Sequence, residues 1–311
     1  MSTDHISVCV CTYKRPKLLT NLLRALQKQE TEGLFSYSVV VVDNDKNESA
    51  RDMVRSIRDE STVEMEYYVE PRQNISYARN MTIEKAQGNL IAFIDDDEFP
   101  VCDWLLHLYK TQREFNADGV LGALLPYFEH EPPSWITNSR MYFWARERPV
   151  TGTVLVTGNT GNALIKRSLV GPDSMFNPDF GLSGGGDPEF FEKLIEKGHV
   201  FVSCREALVY EVIPPVRWQT QYQFRKNILQ GVNSIRRFRS MNKSILFRLK
   251  WFGKAVLGII IYALLLFVCA PFGKGPLFKY IMKIAYFAGV LSEYARVSII
   301  KDRSQLESKS T

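Results

Sequence analysis

The residues of this chain best suited to chemistry are carboxylates that stand where apolar runs end. Leu90-Ile-Ala-Phe-Ile is short, β-prone and apolar at every position, and it stops in Asp95, Asp96 and Asp97. A run that is apolar at both odd and even positions suits a strand covered on both faces. In open α/β sheets, ligands bind beyond the carboxyl ends of the strands. Three adjacent carboxylates repel one another, and a hard divalent cation with oxygen ligands would relieve that repulsion. Taken alone, the three residues are equally well explained as a solvated turn in which Asp96 or Asp97 caps the next helix. Two further sites add weight to the first reading. The hydrophobic run 37–42 ends at Asp43, and Gly181-Leu-Ser-Gly-Gly-Gly delivers Asp187 to the start of a helix. Pro188 suits a first helical turn, so Asp187 is expected as its N-cap.

The elements that must position these carboxylates follow from an alternation of patterns. Positions 6–11 are β-prone, and Pro16 opens an amphipathic helix over 16–29 with Leu18, Leu19, Leu22, Leu23 and Leu26 along one side. The turn between them, Thr12-Tyr-Lys-Arg-Pro, has no glycine, which excludes a dinucleotide fingerprint or a P-loop there. A strand over 37–42, a helix over 48–58, a strand over 65–69, a helix over 76–87 closed by Gly88, and the strand at 90–94 complete a β-α-β-α-β-α-β order. That order predicts a doubly wound, mainly parallel α/β sheet with both acidic strand ends on one edge. A helix over 103–115 and strands at 119–125, 153–157 and 162–166 are expected next. The aromatic segment 126–150 reads as a lid, an acceptor-binding surface or plain hydrophobic packing.

Charge is divided along the chain. Residues 1–204 carry 21 Lys+Arg against 29 Asp+Glu, and residues 205–311 carry 18 against 5, so a net +5 separates into −8 and +13. Within the basic part, 255–272 runs for 18 residues without a charge, at the short end of what crosses a bilayer. The next stretch, 277–290, is interrupted by Lys279 and Lys283 and reads as amphipathic. Together they point to an anionic membrane surface and away from nucleic acid. Basic residues flank 255–272 on both sides, so the expectation is a re-entrant or interfacial hairpin with both ends cytoplasmic; a buried core helix is the alternative. The expected division is a catalytic domain over 1–240 and basic, apolar membrane-associating helices over 241–311. Five cysteines without a Cys-x-x-Cys, and four scattered histidines, offer no zinc spacing and fit a reducing cytoplasm. The polar first residues carry no secretory signal.

Asp43, the 95–97 cluster and Asp187 together suit a nucleoside-diphosphate ligand. One carboxylate would meet a base or ribose donor group, the cluster would hold Mg²⁺ or Mn²⁺ on the diphosphate, and one would take a proton. That is the equipment of glycosyl transfer. A sugar-nucleotide pyrophosphorylase would want a glycine- and arginine-rich first loop, which 12–16 lacks. A non-catalytic, membrane-bound nucleotide-sugar-binding protein is the other alternative.

Over residues 5–235 the chain resembles the family-2 inverting glycosyltransferases of the GT-A fold. The resemblance rests on Ser7-Val-Cys-Val-Cys-Thr-Tyr-Lys-Arg-Pro, Val40-Val-Val-Asp-Asn-Asp, Asn74-Ile-Ser-Tyr-Ala-Arg-Asn, Ala92-Phe-Ile-Asp-Asp-Asp-Glu and Gly184-Gly-Gly-Asp-Pro-Glu-Phe-Phe, in that order. More narrowly, the chain is similar to the succinoglycan-biosynthesis β-1,4-glucosyltransferase group. The resemblance implies transfer from a UDP-sugar to a polyprenyl-diphosphate-linked oligosaccharide, with Mg²⁺ or Mn²⁺, at the cytoplasmic face of the inner membrane. It implies Thr12, Tyr13 and Asp43 at the uracil, Asp95 or Asp96 at the ribose, Asp97 on the metal and Asp187 as general base. Arg79 reads as a nucleotide contact or as a structural ion pair. Gly186 stands where the family usually has an acidic residue, which leaves Glu189 as a second candidate base. Pro214-Pro-Val-Arg-Trp keeps only Arg217-Trp218 of the Gln-x-x-Arg-Trp of processive synthases, so a single transfer is expected.

Overall fold

The computed structural model describes residues 4–139, 142, 148–241, 243–269 and 274–297. Its first half alternates as expected: β1 (Asp4–Thr12), α1 (Pro16–Leu26), β2 (Phe35–Asp43), α2 (Arg51–Asp59), β3 (Met65–Val69), α3 (Ile75–Lys85) and β4 (Leu90–Asp95). β1 pairs in parallel with β2 and β4, and β2 with β3. Successive strand residues point to opposite faces, and both faces are covered. Ile6, Val8, Val10, Leu90, Ala92 and Ile94 enter one core with the buried side of α1, while Cys9, Ile91 and Phe93 enter another with Ile83 of α3. This is why β4 is apolar at every position. Helix α1 has no side-chain cap bond at Arg15 and is held by burial of Leu19, Leu22, Leu23 and Leu26, each contributing about 2 kcal/mol.

The second half adds β5 (Glu98–Pro100), α4 (Trp104–Glu114), β6 (Gly119–Tyr127), α5 (Ser134–Ser139), β7 (Ala163–Lys166), α6 (Gly186–Glu196) and β8 (Phe201–Val212). The eight strands form one sheet in the order β3-β2-β1-β4-β7-β6-β8-β5. β7 is antiparallel to β4 and β6, and β5 to β8, whereas β6 and β8 are parallel. The doubly wound pattern therefore describes the first four strands, and the sheet is mixed beyond β4. The strand expected at 153–157 does not form; Val154 makes one isolated bridge to Val202.

The chain divides into two compact units, one of residues 1–127, 143–181 and 186–212, the other of residues 128–142, 182–185 and 213–311. The sheet belongs to the first. The second contains α5, α7 (Thr220–Ser240), α8 (Ile245–Cys269) and α9 (Lys274–Tyr294). α7 and α9 meet backbone to backbone: a Cβ on Gly231 would lie 2.0 Å from the Tyr286 carbonyl oxygen, and one on Gly289 the same distance from that of Ile228. Glu293 of α9 accepts from Arg239 at 2.7 Å and from Arg236 at 3.3 Å. In α8, residues Ile245–Val268 are long and apolar enough to cross a membrane, with a mean hydropathy of 2.2 over an 18-residue window that is 6% buried. α8 is therefore not a buried core helix. The turn of the expected hairpin, 270–273, lies outside the described residues.

Candidate active site

Parallel register sets three of the expected residues side by side. Thr12 ends β1 opposite Asp43 at the end of β2, and Cys11 lies opposite Asp95 at the end of β4. Neighbouring strands stand about 4.8 Å apart, so these ends form one short rim. Beyond it, Thr12 Oγ1 donates to Asp96 Oδ2 at 2.8 Å, and Arg15 Nη1 donates to Asp96 Oδ1 at 3.1 Å and Asp97 Oδ2 at 3.2 Å. Glu98 tightens the turn by accepting from the Asp95 amide at 2.9 Å. Asp43 is wholly buried. It accepts from the Asp45 and Ala50 amides and from the Tyr67 hydroxyl, each at 2.9 Å, and so closes the 43–50 turn. Tyr13 is half-buried, with the Lys14 ammonium 5.1 Å from its ring centre.

Asp187 comes from the far half of the sequence. Gly184 and Gly185 adopt φ of +83° and +87° just ahead of α6, values that glycine takes without strain. α6 already begins at Gly186, so Asp187 stands inside its first turn and is not the N-cap that Pro188 suggested. Its carboxylate is held from the side. Arg79 Nη1 donates to Oδ1, and Thr160 Oγ1 donates to Oδ2 at 3.1 Å. The second arm of the same guanidinium, Nη2, reaches Asp95 Oδ1 at 3.3 Å. One arginine of α3, only 8% exposed, thus joins the carboxylate that ends β4 to a carboxylate in the first turn of α6. Glu189 is sealed from solvent and ion-paired with Lys193 at 2.5 Å. A Cβ on Gly186 would meet Phe180 Cβ at 3.4 Å and Ser76 Oγ at 3.8 Å, ordinary contacts, so packing does not demand glycine there.

The Asn74-Ile-Ser-Tyr-Ala-Arg-Asn stretch brings the segment before α6 onto α3. Asn74 Oδ1 caps α3 by accepting from the Ser76 and Tyr77 amides at 2.9 and 3.4 Å, while its Nδ2 donates to the Pro178 carbonyl at 3.0 Å. Ser76 Oγ donates to the Asn177 carbonyl at 2.9 Å, and Asn80 exchanges two hydrogen bonds with the Phe176 backbone. Gly181 closes the clamp, since a Cβ there would lie 1.6 Å from Asn74 Oδ1. Asn74, Ser76, Asn80, Gly181 and Arg15 stand in stretches the sequence singles out without showing what each side chain does, and Thr160 stands in none. An Asn just ahead of a helical stretch signals a cap, but no local spacing reveals a partner 104 residues away.

Four carboxylates meet two guanidinium groups in this region. Burial, opposed by Arg15 and helped by the Asp97 charge, pushes the Asp96 carboxyl up to about 6. Asp95 is also raised, first by desolvation, with Arg79 pulling the other way. Desolvation works against the charge on Arg79, yet Asp187 and Asp95 outweigh it and hold that guanidinium above its ordinary value. Behind the rim, burial raises the Cys9 thiol to about 12, so it stays protonated at neutral pH.

Among the described residues, no three His, Cys, Asp or Glu side chains are grouped to hold a metal ion by themselves. The donor set fits instead an ion shared with a substrate. Mg²⁺ is commonly bound through one or two carboxylates plus phosphate oxygens, and Asp96 and Asp97 supply such a pair. Of the residues expected at the site, Thr12 meets Asp96 directly, Arg15 joins Asp96 to Asp97, and Arg79 joins Asp95 to Asp187. Asp43 and Tyr13 join neither cluster in the hydrogen bonds above, although Asp43 shares the rim.

The sequence model of glycosyl transferase family 2 matches residues 7–171, just over half the chain, and its span includes Thr12, Asp43, Arg79 and the carboxylates of 95–97. The chain belongs to glycosyl transferase family 2. Asp187 lies beyond the matched stretch. Within the family, the chain is 35% identical over 240 residues to the succinoglycan biosynthesis protein ExoM of Rhizobium meliloti (strain 1021), covering 74% of this chain and 75% of ExoM. It is 24% identical over 245 residues to the chondroitin synthase of Escherichia coli, covering 68% of this chain but 35% of that protein. Among solved structures, the mannosyltransferase PcManGT from Pyrobaculum calidifontis, in complex with GDP-Man and Mn²⁺, has a TM-score of 0.64 at 16% identity, over 94% of this chain and 88% of its own. Residues 1–349 of S. aureus TarS, in complex with UDP, give 0.53 at 16% identity, over 95% and 93%. These two share the fold, which is of the GT-A type.

Proposed function

We propose that the chain is an inverting, metal-dependent glycosyltransferase that moves one hexose, glucose by its similarity to the succinoglycan group, from a UDP-sugar to a polyprenyl-diphosphate-linked oligosaccharide. The observation that carries this reading is the pairing of Asp95 and Asp187 through Arg79, which sets a second carboxylate beside the acidic strand end. Asp187 takes the proton of the acceptor hydroxyl as that oxygen bonds to the anomeric carbon. The bond from this carbon to the UDP oxygen breaks on the opposite face, so the configuration inverts. Asp97, with Asp96 beside it, would hold Mg²⁺ or Mn²⁺, which would supply positive charge for the departing diphosphate. Thr12, Tyr13 and Asp43 line the nucleoside, Asp43 chiefly by fixing the 43–50 turn, and Asp95 or Asp96 meets the ribose. Arg79 serves by holding Asp95 and Asp187 in place.

Region 241–311 attaches the enzyme to the cytoplasmic face of the inner membrane, where a lipid-linked acceptor is found. The exposed apolar side chains of α8 and the +13 charge of residues 205–311 support this part of the reading. Single transfer follows from the missing Gln-x-x of the processive motif. The test is UDP release from a panel of UDP-sugars, with and without extracted membrane lipids, with the anomeric configuration of the product read by NMR. Acceptor-dependent UDP release with inversion, lost in chelator and restored by Mg²⁺ or Mn²⁺, is the expected result. A retained configuration, or full activity in excess chelator, would overturn the mechanism.

A further inference from the structure

Arg15 sits on the turn between β1 and α1, where Pro16 at the helix start fixes the chain that follows it. Its Nη1 lies 3.1 Å from Asp96 Oδ1 and 3.2 Å from Asp97 Oδ2, so one nitrogen stands between two neighbouring carboxylates. That is also where those carboxylates would share a divalent ion. A guanidinium and a divalent cation cannot occupy it together, on grounds of both size and like charge. The partners differ in freedom: the Arg15 side chain is 39% exposed, whereas those of Asp96 and Asp97 are 7% and 10% exposed. The anions are fixed and the cation above them can leave. Arg79, by contrast, is a buried guanidinium anchored on two carboxylates.

We propose that Arg15 is an exchangeable counter-cation: it neutralises Asp96 and Asp97 in the metal-free enzyme, gives up its place to the divalent ion, and moves onto the phosphates of the nucleotide that arrives with that ion. The inference rests on the nucleotide-sugar reading and deepens it. A planar guanidinium with five donors matches phosphate oxygens well, so a diphosphate offers the displaced group new acceptors. Metal alone displaces Arg15 without that gain, and metal with nucleotide provides it. Metal and nucleotide therefore bind cooperatively, and Arg15 carries part of the coupling.

The test is a titration of the full chain with Mn²⁺, following free Mn²⁺ by its electron paramagnetic resonance signal, with and without UDP. In the wild type, UDP should tighten Mn²⁺ binding by roughly 10- to 100-fold, within the usual range of such couplings. Arg15→Gln should bind Mn²⁺ alone at least about 5-fold more tightly and lose most of the coupling. Arg15→Lys keeps the charge but not the fork; it should bind Mn²⁺ alone as the wild type does and lose several-fold of the coupling, and it decides the matter if the Gln variant does not fold. Unchanged coupling in the variants would overturn the role of Arg15 and leave the nucleotide-sugar reading standing. A wild type that binds no UDP in the presence of Mn²⁺ would overturn both.

Discussion

Arg79 and Asp187 are 108 residues apart in sequence and in direct ion contact. With its other arm on Asp95, Arg79 makes the end of one strand and the beginning of one helix a single charged assembly. Replacing it by Gln leaves two carboxylates facing each other across a gap, and breaking such a pair costs about 3 kcal/mol. Arg79→Gln should lower the melting temperature by several degrees and also reduce turnover. Arg79→Lys should recover part of the stability, since a single ammonium reaches one carboxylate at a time. Wild-type stability in Arg79→Gln would mean that the bridge is not maintained in solution.

Asp187→Asn keeps the shape of the side chain and its bond from Thr160 while removing the proton acceptor. UDP binding should stay within about twofold, and turnover should fall roughly 10²- to 10⁴-fold, the usual contribution of a general base. Glu189→Gln is the control, because Glu189 is sealed beneath Lys193. It should lower stability and leave the turnover of the folded enzyme near normal. The opposite pattern would move the base to Glu189.

Gly181→Ala drives a methyl group into the Asn74 amide. Overpacking of this kind costs about 1–3 kcal/mol. Because Asn74 also caps α3, Asn74→Ala alone should cost about 1 kcal/mol. In the double variant the clashing atom is gone, so its loss should be smaller than the sum of the two single losses. Strict additivity in chemical denaturation would show that the two residues do not touch.

A charge placed on α8 tests the membrane reading better than truncation does. Ending the chain at Ser240 would strip α7 of the α9 backbone against which Gly231 packs. Leu264 and Phe267 are 62% and 82% exposed, so Glu at both positions should leave the fold intact. The doubly substituted protein should no longer sediment with anionic vesicles, while wild-type protein should be weakened but not released by salt. Salt release of the wild type would mean purely electrostatic attachment.

His5, in β1, exchanges hydrogen bonds through both ring nitrogens with Ser36 and Ser38, each at 2.8 Å. Burial lowers its pKa from the usual 6.5, with Glu64 opposing. The native state therefore binds fewer protons than the unfolded chain just below pH 6.5, and stability rises with pH there. This contribution is present above pH 6.5 and is lost as pH falls through the lowered value. His5→Gln should flatten that part of the stability curve. An unchanged slope would assign it to other groups.

Local signals carried the first four strands, because a strand covered on both faces must be apolar at every position and helices with one buried side must show it. They also drew attention to Asp43 and the 95–97 cluster, because acidic residues at the ends of apolar runs have no apolar packing role to fill, and to Asp187, because a glycine run leads into it. β8 went unnoticed because Arg205 and Glu206 interrupt its apolar pattern at a bulge beside β6. The 153–157 expectation failed because the segment pairs with β8 only around Val154, through the Thr153 carbonyl and the Leu155 amide, too briefly to make a strand. Arg15 and the α3 clamp were illegible since their partners are set by tertiary geometry, as was the second arm of Arg79.

The clamp on α3 also has a consequence in time. Asn74, Ser76, Asn80 and Arg79 belong to a helix made early in synthesis, yet their partners lie at 176–187. Chains emerge from the N-terminus at roughly 5–20 residues per second, so for some seconds the β1–β4 half is exposed with a bare polar helix face and an arginine that lacks one of its two anions. Contacts of such high sequence separation also form slowly in refolding. The site is therefore completed late: a nascent chain paused between residues 100 and 170 has the rim of strand ends but not Asp187.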